Sequence, residues 1–174
     1  MAEAAGQPPA DQPSAPDRPA SRQGDRLPTG AKLLALDVGD ARIGVAAGTV
    51  GSLLAFGRGA IGRQGTRKDV PAVLALVEKE GAAAIVVGIP VRLDGSESPQ
   101  TERVRRFAAA LAEAGADVVF EDERLTTRIA QRPVSDSDLP RSRRQEKGLL
   151  DEAAAVQILE SYLRRLGGPV GGPE

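Results

Sequence analysis

Apolar and polar positions change period several times along this chain, and each change marks an element. Lys32 to Asp37 and Arg42 to Ala47 are short apolar runs separated by Gly39-Asp40, which predicts two strands joined by a tight turn. A third strand is expected from Ser52 to Ile61. From Lys68 to Lys79 the apolar residues Val70, Val73, Leu74 and Val77 recur at helical spacing, and Gly81 closes the element. Ala84 to Gly88 is apolar throughout, the pattern of a central strand covered on both faces. Ser98-Pro99 fits an N-cap followed by proline at the first helical position. That helix runs to Ala114, with Val104, Phe107, Ala108 and Leu111 inward and Arg103, Arg105 and Arg106 toward solvent. After Gly115, a strand from Ala116 to Phe120 leads into Glu121-Asp122-Glu123-Arg124. Thr126 opens a short helix to Gln131, Pro133 to Lys147 forms a polar loop, and the last helix spans Leu149 to Leu166.

Three strands in succession, then strands alternating with helices, imply an α/β fold: a mixed five-stranded sheet with helices on both faces. The domain is expected over 31–167. Residues 1–30 are rich in proline and nearly devoid of large apolar side chains, so they cannot offset their ordering entropy and are expected to be a disordered tail. The Gly/Pro stretch 168–174 is expected to be a flexible C-terminal tail. The N-terminus lacks the apolar core of a secretory signal, and no stretch reaches the roughly 18 apolar residues of a membrane span. A cytoplasmic protein without membrane partners is expected.

Composition narrows the chemistry. Aromatics are 2% of the 174 residues, leaving little material for base stacking on exposed rings; Phe56, Phe107, Phe120 and Tyr162 all fall in apolar patterns and are expected in the core. The net charge of -1 conceals a local excess of cations: Arg124, Arg128, Arg132, Arg141, Arg143, Arg144 and Lys147 against Asp136, Asp138 and Glu146. Histidine and cysteine are absent. That excludes disulfides, thiolate or imidazole metal sites, and Ser-His or Cys-His nucleophile pairs. Any catalysis must use carboxylates, Lys/Arg, hydroxyls or oxygen-bound metals.

Asp37 ends an apolar run and is followed by Val38-Gly39, which suits either close backbone approach to a phosphate or metal, or a turn carboxylate between hairpin strands. Acids recur at Glu123, after the last strand, and at Asp151, at the start of the last helix. Together they would form a hard oxygen site for Mg²⁺ or Mn²⁺, able to support in-line attack of water on a phosphodiester. Neighbours compete for these places. Asp151 and Glu152 both fall within the borders of the apolar arc formed by Ala155, Val156, Ile158, Leu159, Tyr162, Leu163 and Leu166. Strand parity separates Asp122 from Glu121 and Glu123 without saying which face matters, and an acid at a helix start also serves the helix dipole.

LLALDVGDARIGVA, IVVGIPVRLDGSESPQTERVRRFA, FEDERLTT and KGLLDEAAAVQIL, in this order and spacing, resemble the bacterial Holliday-junction-resolvase-like family, also described as pre-16S rRNA nucleases. The likeness spans Leu33 to Leu166. It implies a ribonuclease H-like fold and a divalent-metal endonuclease with Asp37, Glu123 and Asp151 as catalytic metal ligands for Mg²⁺ or Mn²⁺. It also implies that Asp94-Gly95-Ser96 lies beside the site, with backbone amides near a helix start to receive a phosphate. Nucleic-acid contacts are expected at Arg42, Arg92, Ser96, Arg103, Arg124, Arg141, Arg143, Arg144 and Lys147. The substrate would be branched DNA or precursor rRNA. Resolving a junction, which has two symmetric scissile strands, calls for a homodimer; a monomer favours the RNA role. The chain departs from the family pattern at Asp40, which adds a negative charge near the expected metals, and at Ala47-Gly48-Thr49, where many relatives carry an aspartate. Two other readings compete. Asp37-x-Gly39-x-x-x-x-Gly44 also resembles the first phosphate motif of actin-like ATPases and sugar kinases, but those need two such domains. A non-catalytic nucleic-acid- or ribosome-associated module could use the same fold.

Overall fold

A computed structural model describes residues 27–90, 98–122 and 141–167, the last of these as backbone only through 147. Its elements are β1 (Lys32–Val38), β2 (Arg42–Thr49), β3 (Ala55–Gly62), α1 (Thr66–Glu80), β4 (Ala84–Ile89), α2 (Pro99–Glu113), β5 (Val118–Asp122) and α3 (Arg141–Gly167). The strands form one sheet in the order β3-β2-β1-β4-β5. β1 pairs antiparallel with β2 and parallel with β4, β2 pairs antiparallel with β3, and β4 pairs parallel with β5. The fold is thus the expected mixed five-stranded sheet with helices on both faces.

Alternation along the strands builds two cores. Leu34, Leu36, Val38, Ile43, Val45, Ile85 and Val87 face α1 and α2, meeting Val73, Val104, Phe107 and Leu111. Leu33, Ala35, Ala46, Ala84, Val86 and Val119 face α3, meeting Ala155, Ile158, Leu159, Tyr162 and Leu163. β4 is buried along its whole length, as an apolar run between two helical layers must be.

Local signals set the helix ends. Gly81 closes α1 in the left-handed conformation, with its amide donating to the Glu78 carbonyl. Ser98 caps α2 reciprocally with Thr101, and Pro99 follows it. Buried Thr101 also donates to the Pro90 carbonyl, tying the end of β4 to the start of α2.

Several expectations need correction. α3 starts at Arg141, so Arg141, Arg143, Arg144 and Lys147 belong to a helix and not to a polar loop. Residues 141–147 are good helix formers without an apolar stripe, and hydrophobic period alone therefore passes over them. The third strand begins at Ala55, after a turn. Phe56, expected in the core, is 58% exposed: β3 is an edge strand, and Ile61 near its other end is the residue that packs against the α1/α2-side core. Arg105, expected in solvent, is half-buried with its guanidinium 5.6 Å from the Phe120 ring centre. The expected helix from Thr126 to Gln131 and both expected tails apart from residues 27–30 lie outside the described residues. Among the described residues, no helix is long and apolar enough to cross a membrane.

Candidate active site

Asp37 shares strand parity with Leu33 and Ala35, so it belongs to the sheet face that carries α3, and it is only 7% exposed. Its partner across the β1–β2 ladder is Gly44. A methyl group at position 44 would sit 1.9 Å from the carbonyl oxygen of Asp151 and 2.4 Å from its carbonyl carbon. Glycine at 44 therefore lets the backbone of α3 rest directly on the strand, bringing Asp151 over the strand pair that carries Asp37. Glu152 goes elsewhere: a methyl group on Gly57 of β3 would lie 1.6 Å from its Oε1. Of the two acids left open by the helical wheel, Asp151 thus meets Gly44 and Glu152 covers the edge strand.

On β5, Glu121 shares the α3 face with Val119 and is 2% exposed. Leu36 pairs with Val87 and Gly88 with Glu121, so one residue past the β1–β4 ladder Asp37 and Glu121 stand at the same level of the sheet with Gly88 between them. Glu121 is occupied structurally. Its Oε1 accepts from Ser161 Oγ at 2.9 Å, and its Oε2 accepts from Arg165 Nε at 3.3 Å and Nη2 at 3.2 Å. These bonds pin the C-terminal half of α3 to β5. Ser161→Ala is expected to cost about 1–3 kcal/mol by leaving a buried carboxylate oxygen without its neutral donor, which a thermal melt reads as a lower Tm. Asp122 has the opposite parity, and Glu123 lies outside the described residues.

The cations divide into separate groups. Arg42 opens β2 on the α3 face, and its Nη1 would be 3.4 Å from a methyl group on Gly148, just before Asp151 in α3. The backbone of Arg141, Arg143, Arg144 and Lys147 forms the opening turns of that helix. Arg103, an expected nucleic-acid contact, instead pairs through Nη2 with Asp40 Oδ1 at 2.9 Å on the surface. Asp40 is well exposed there, and an exposed pair of this kind stabilises little. Arg92, Ser96 and Arg124 lie outside the described residues.

Buried Asp69 and Ser161, with the exposed Arg165, escape a reading by pattern. Asp69, in the first turn of α1, is 2% exposed, and Arg63 Nε donates to it at 3.2 Å. Ser161 and Arg165 sit one turn apart on the apolar side of α3, a polar interruption that could have pointed to a buried acid opposite.

Asp37 and Asp151 offer only carboxylate oxygens, a donor set that suits a hard divalent cation and not zinc or copper held by nitrogen or sulfur. Among the described residues, no group of three or more His, Cys, Asp or Glu gathers closely enough to hold a metal. The described residues therefore place Asp37, Asp151 and the structurally bonded Glu121 on the α3 side of the sheet, with Arg42 on the same face.

Residues 31–165 match the family model described as "RuvX: Holliday junction resolvase". A Thermus thermophilus protein named "Putative pre-16S rRNA nuclease" is 47% identical over 131 residues, covering 75% of this chain and 96% of that one. "Ribonuclease YqgF" of Deinococcus radiodurans is 44% identical over 139 residues, covering 80% of this chain and 90% of its own. Among solved structures, Thermus thermophilus RuvC in complex with Holliday junction substrate aligns with 79% of this chain and 97% of its own, at a TM-score of 0.48 and 14% identity.

Proposed function

We propose a function from one premise: this chain belongs to the RuvX Holliday junction resolvase family. It is a nuclease, a hydrolase acting on phosphodiester bonds in structured nucleic acid, with branched DNA and precursor 16S rRNA as the two substrate classes. The observation that carries the site assignment is the seat of α3 on Gly44, opposite Asp37. It supports Asp37 and Asp151 as ligands of a divalent cation, Mg²⁺ or Mn²⁺. Glu123, two residues beyond the α3-facing Glu121 in the chain, is the third.

When bound, such an ion supplies an activated water and charge stabilisation for in-line attack. The chain's own residues do the rest. Asp37 and Asp151 hold their carboxylates in a partly dry setting, where attraction to a cation is stronger than in water. Arg42 is suited to a phosphate oxygen through its planar fork of donors. Arg141, Arg143, Arg144 and Lys147 on α3, with Arg92, Ser96 and Arg124, are assigned to the nucleic-acid backbone, for which positive charge supplies affinity without sequence preference. Arg103 is assigned to the same track once a phosphate competes with Asp40 for it.

The test incubates the full chain with Mg²⁺ or Mn²⁺ and two substrates, a mobile four-way DNA junction and a precursor 16S rRNA fragment. Symmetric nicks at the crossover establish the junction role, which also requires a homodimer. A matured RNA end establishes the rRNA role. No cleavage of either substrate with either ion overturns the nuclease reading in favour of a binding module.

A further inference from the structure

We propose that Arg63 is a positioning residue for this site. Its guanidinium locks the β1–β2 turn, and with it Asp37 and Arg42, to the helical layer on the opposite side of the sheet. The catalytic consequence rests on the nuclease reading; the locking itself does not.

Arg63 follows the last residue of β3 and bridges four parts of the fold. Nε donates to Asp69 Oδ2 of α1 at 3.2 Å, and Nη1 donates to the Gly39 carbonyl at 3.1 Å, 24 residues back in the chain. The guanidinium carbon lies 5.3 Å from the centre of the Phe107 ring of α2. Its backbone amide donates to the Ala41 carbonyl at 2.9 Å. Asp69 is held in turn by the Gln64 amide, which donates to its other oxygen at 2.8 Å. The turn is closed by one bond of its own, from the Gly39 amide to the Arg42 carbonyl at 2.9 Å. Both of its sides therefore depend on residue 63.

This turn begins two residues after Asp37 and ends at Arg42. A shift of Gly39 is passed along a short, paired backbone to both. The bridge needs donors that point in different directions in one plane while the flat cation stacks on a ring, which arginine provides and lysine does not. The Arg63–Asp69 pair is largely buried, at 17% and 2% side-chain exposure, so thermal motion and salt loosen it less than a surface pair. Sub-ångström placement of ligands is what a metal-dependent site is most sensitive to.

The test uses Arg63→Lys in the full chain, which keeps a cation facing Asp69 but cannot also hold Gly39. Asp69→Asn, which keeps an acceptor for the Gln64 amide and removes only the anchor's charge, is the second variant should the first fail to fold. Three quantities are measured on folded protein: amide exchange at Gly39 by NMR, Mn²⁺ affinity by the free-ion EPR signal, and kcat and KM on the cleaved substrate. Gly39 exchange is expected to rise about tenfold, the scale of one lost charge-assisted hydrogen bond. Mn²⁺ affinity and kcat are expected to fall by a similar factor of about ten, and KM to rise by less than that, since Arg42 shifts with the turn while the phosphate contacts assigned to α3 are untouched. Unchanged Gly39 exchange overturns the proposal whatever the activity does. Faster exchange with wild-type Mn²⁺ affinity and kcat overturns it too, because the turn is then held for stability alone. A wild-type chain that neither binds Mn²⁺ nor cleaves overturns the nuclease reading instead, and the exchange result still decides whether Arg63 locks the turn.

Discussion

Asp37→Asn is expected to lower cleavage about a thousandfold, because a divalent ion supplies several kcal/mol of transition-state stabilisation and each ~1.4 kcal/mol is worth tenfold. The side chain keeps its size and loses only its charge, so the chain still folds and still binds uncleaved substrate through its cations. A gel assay at saturating Mn²⁺, a binding titration and a thermal melt together separate these effects. Cleavage within about tenfold of wild type, where no ligand charge has been lost in effect, removes Asp37 from the site. The same fall in binding as in cleavage would make it a folding or docking residue.

Gly44→Ala is expected to damage stability and activity together. Where strain is absent, replacing glycine by alanine stabilises by about 0.4–1 kcal/mol through the unfolded chain. Here the added methyl group meets main-chain atoms of Asp151 at 1.9 and 2.4 Å, which no rotamer change relieves. Overpacking costs about 1–3 kcal/mol where side chains can adjust, and α3 must move as a unit, so the upper end applies. At about 2–4 °C per kcal/mol for a domain near this size, Tm falls by roughly 6–12 °C. Activity of the folded fraction falls about a hundredfold, since a 1 Å displacement of Asp151 is enough for that. Gly57→Ala is the comparison: the nearest atoms to its methyl group belong to the Glu152 side chain, which can swing away at about 1 kcal/mol. Equal effects of the two substitutions would show that the seat of α3 on Gly44 has no special role.

The same pair of glycines shows what could be read from the chain alone. Gly44 is one of 20 glycines, and nothing in its neighbours along the chain marks it as the seat of a helix more than a hundred residues later. Asp37 stands out, by contrast, because a carboxylate at the end of an apolar run is unusual in any strand.

Strand parity, helix caps and the absence of histidine and cysteine are local or compositional, so the sequence by itself determined a mixed sheet with helices on both faces and a chemistry limited to carboxylates and cations. It also determined the ends of α2 and the C-terminus of α1, where Ser98, Pro99 and Gly81 act within a turn. Tertiary structure decided the rest. Whether Asp151 or Glu152 lies over Gly44, the ladder partner of Asp37, depends on how α3 lies across β1, β2 and β3, a matter of helix-on-sheet contact that a helical wheel does not contain. Phe56 is exposed because β3 became the edge, and strand order is a long-range property. Glu121 is tied to Ser161 and Arg165, and Arg63 to Gly39, across 40, 44 and 24 residues of chain. Such bonds are chosen by which elements pack together, and packing is settled by the whole core and not by any segment of it.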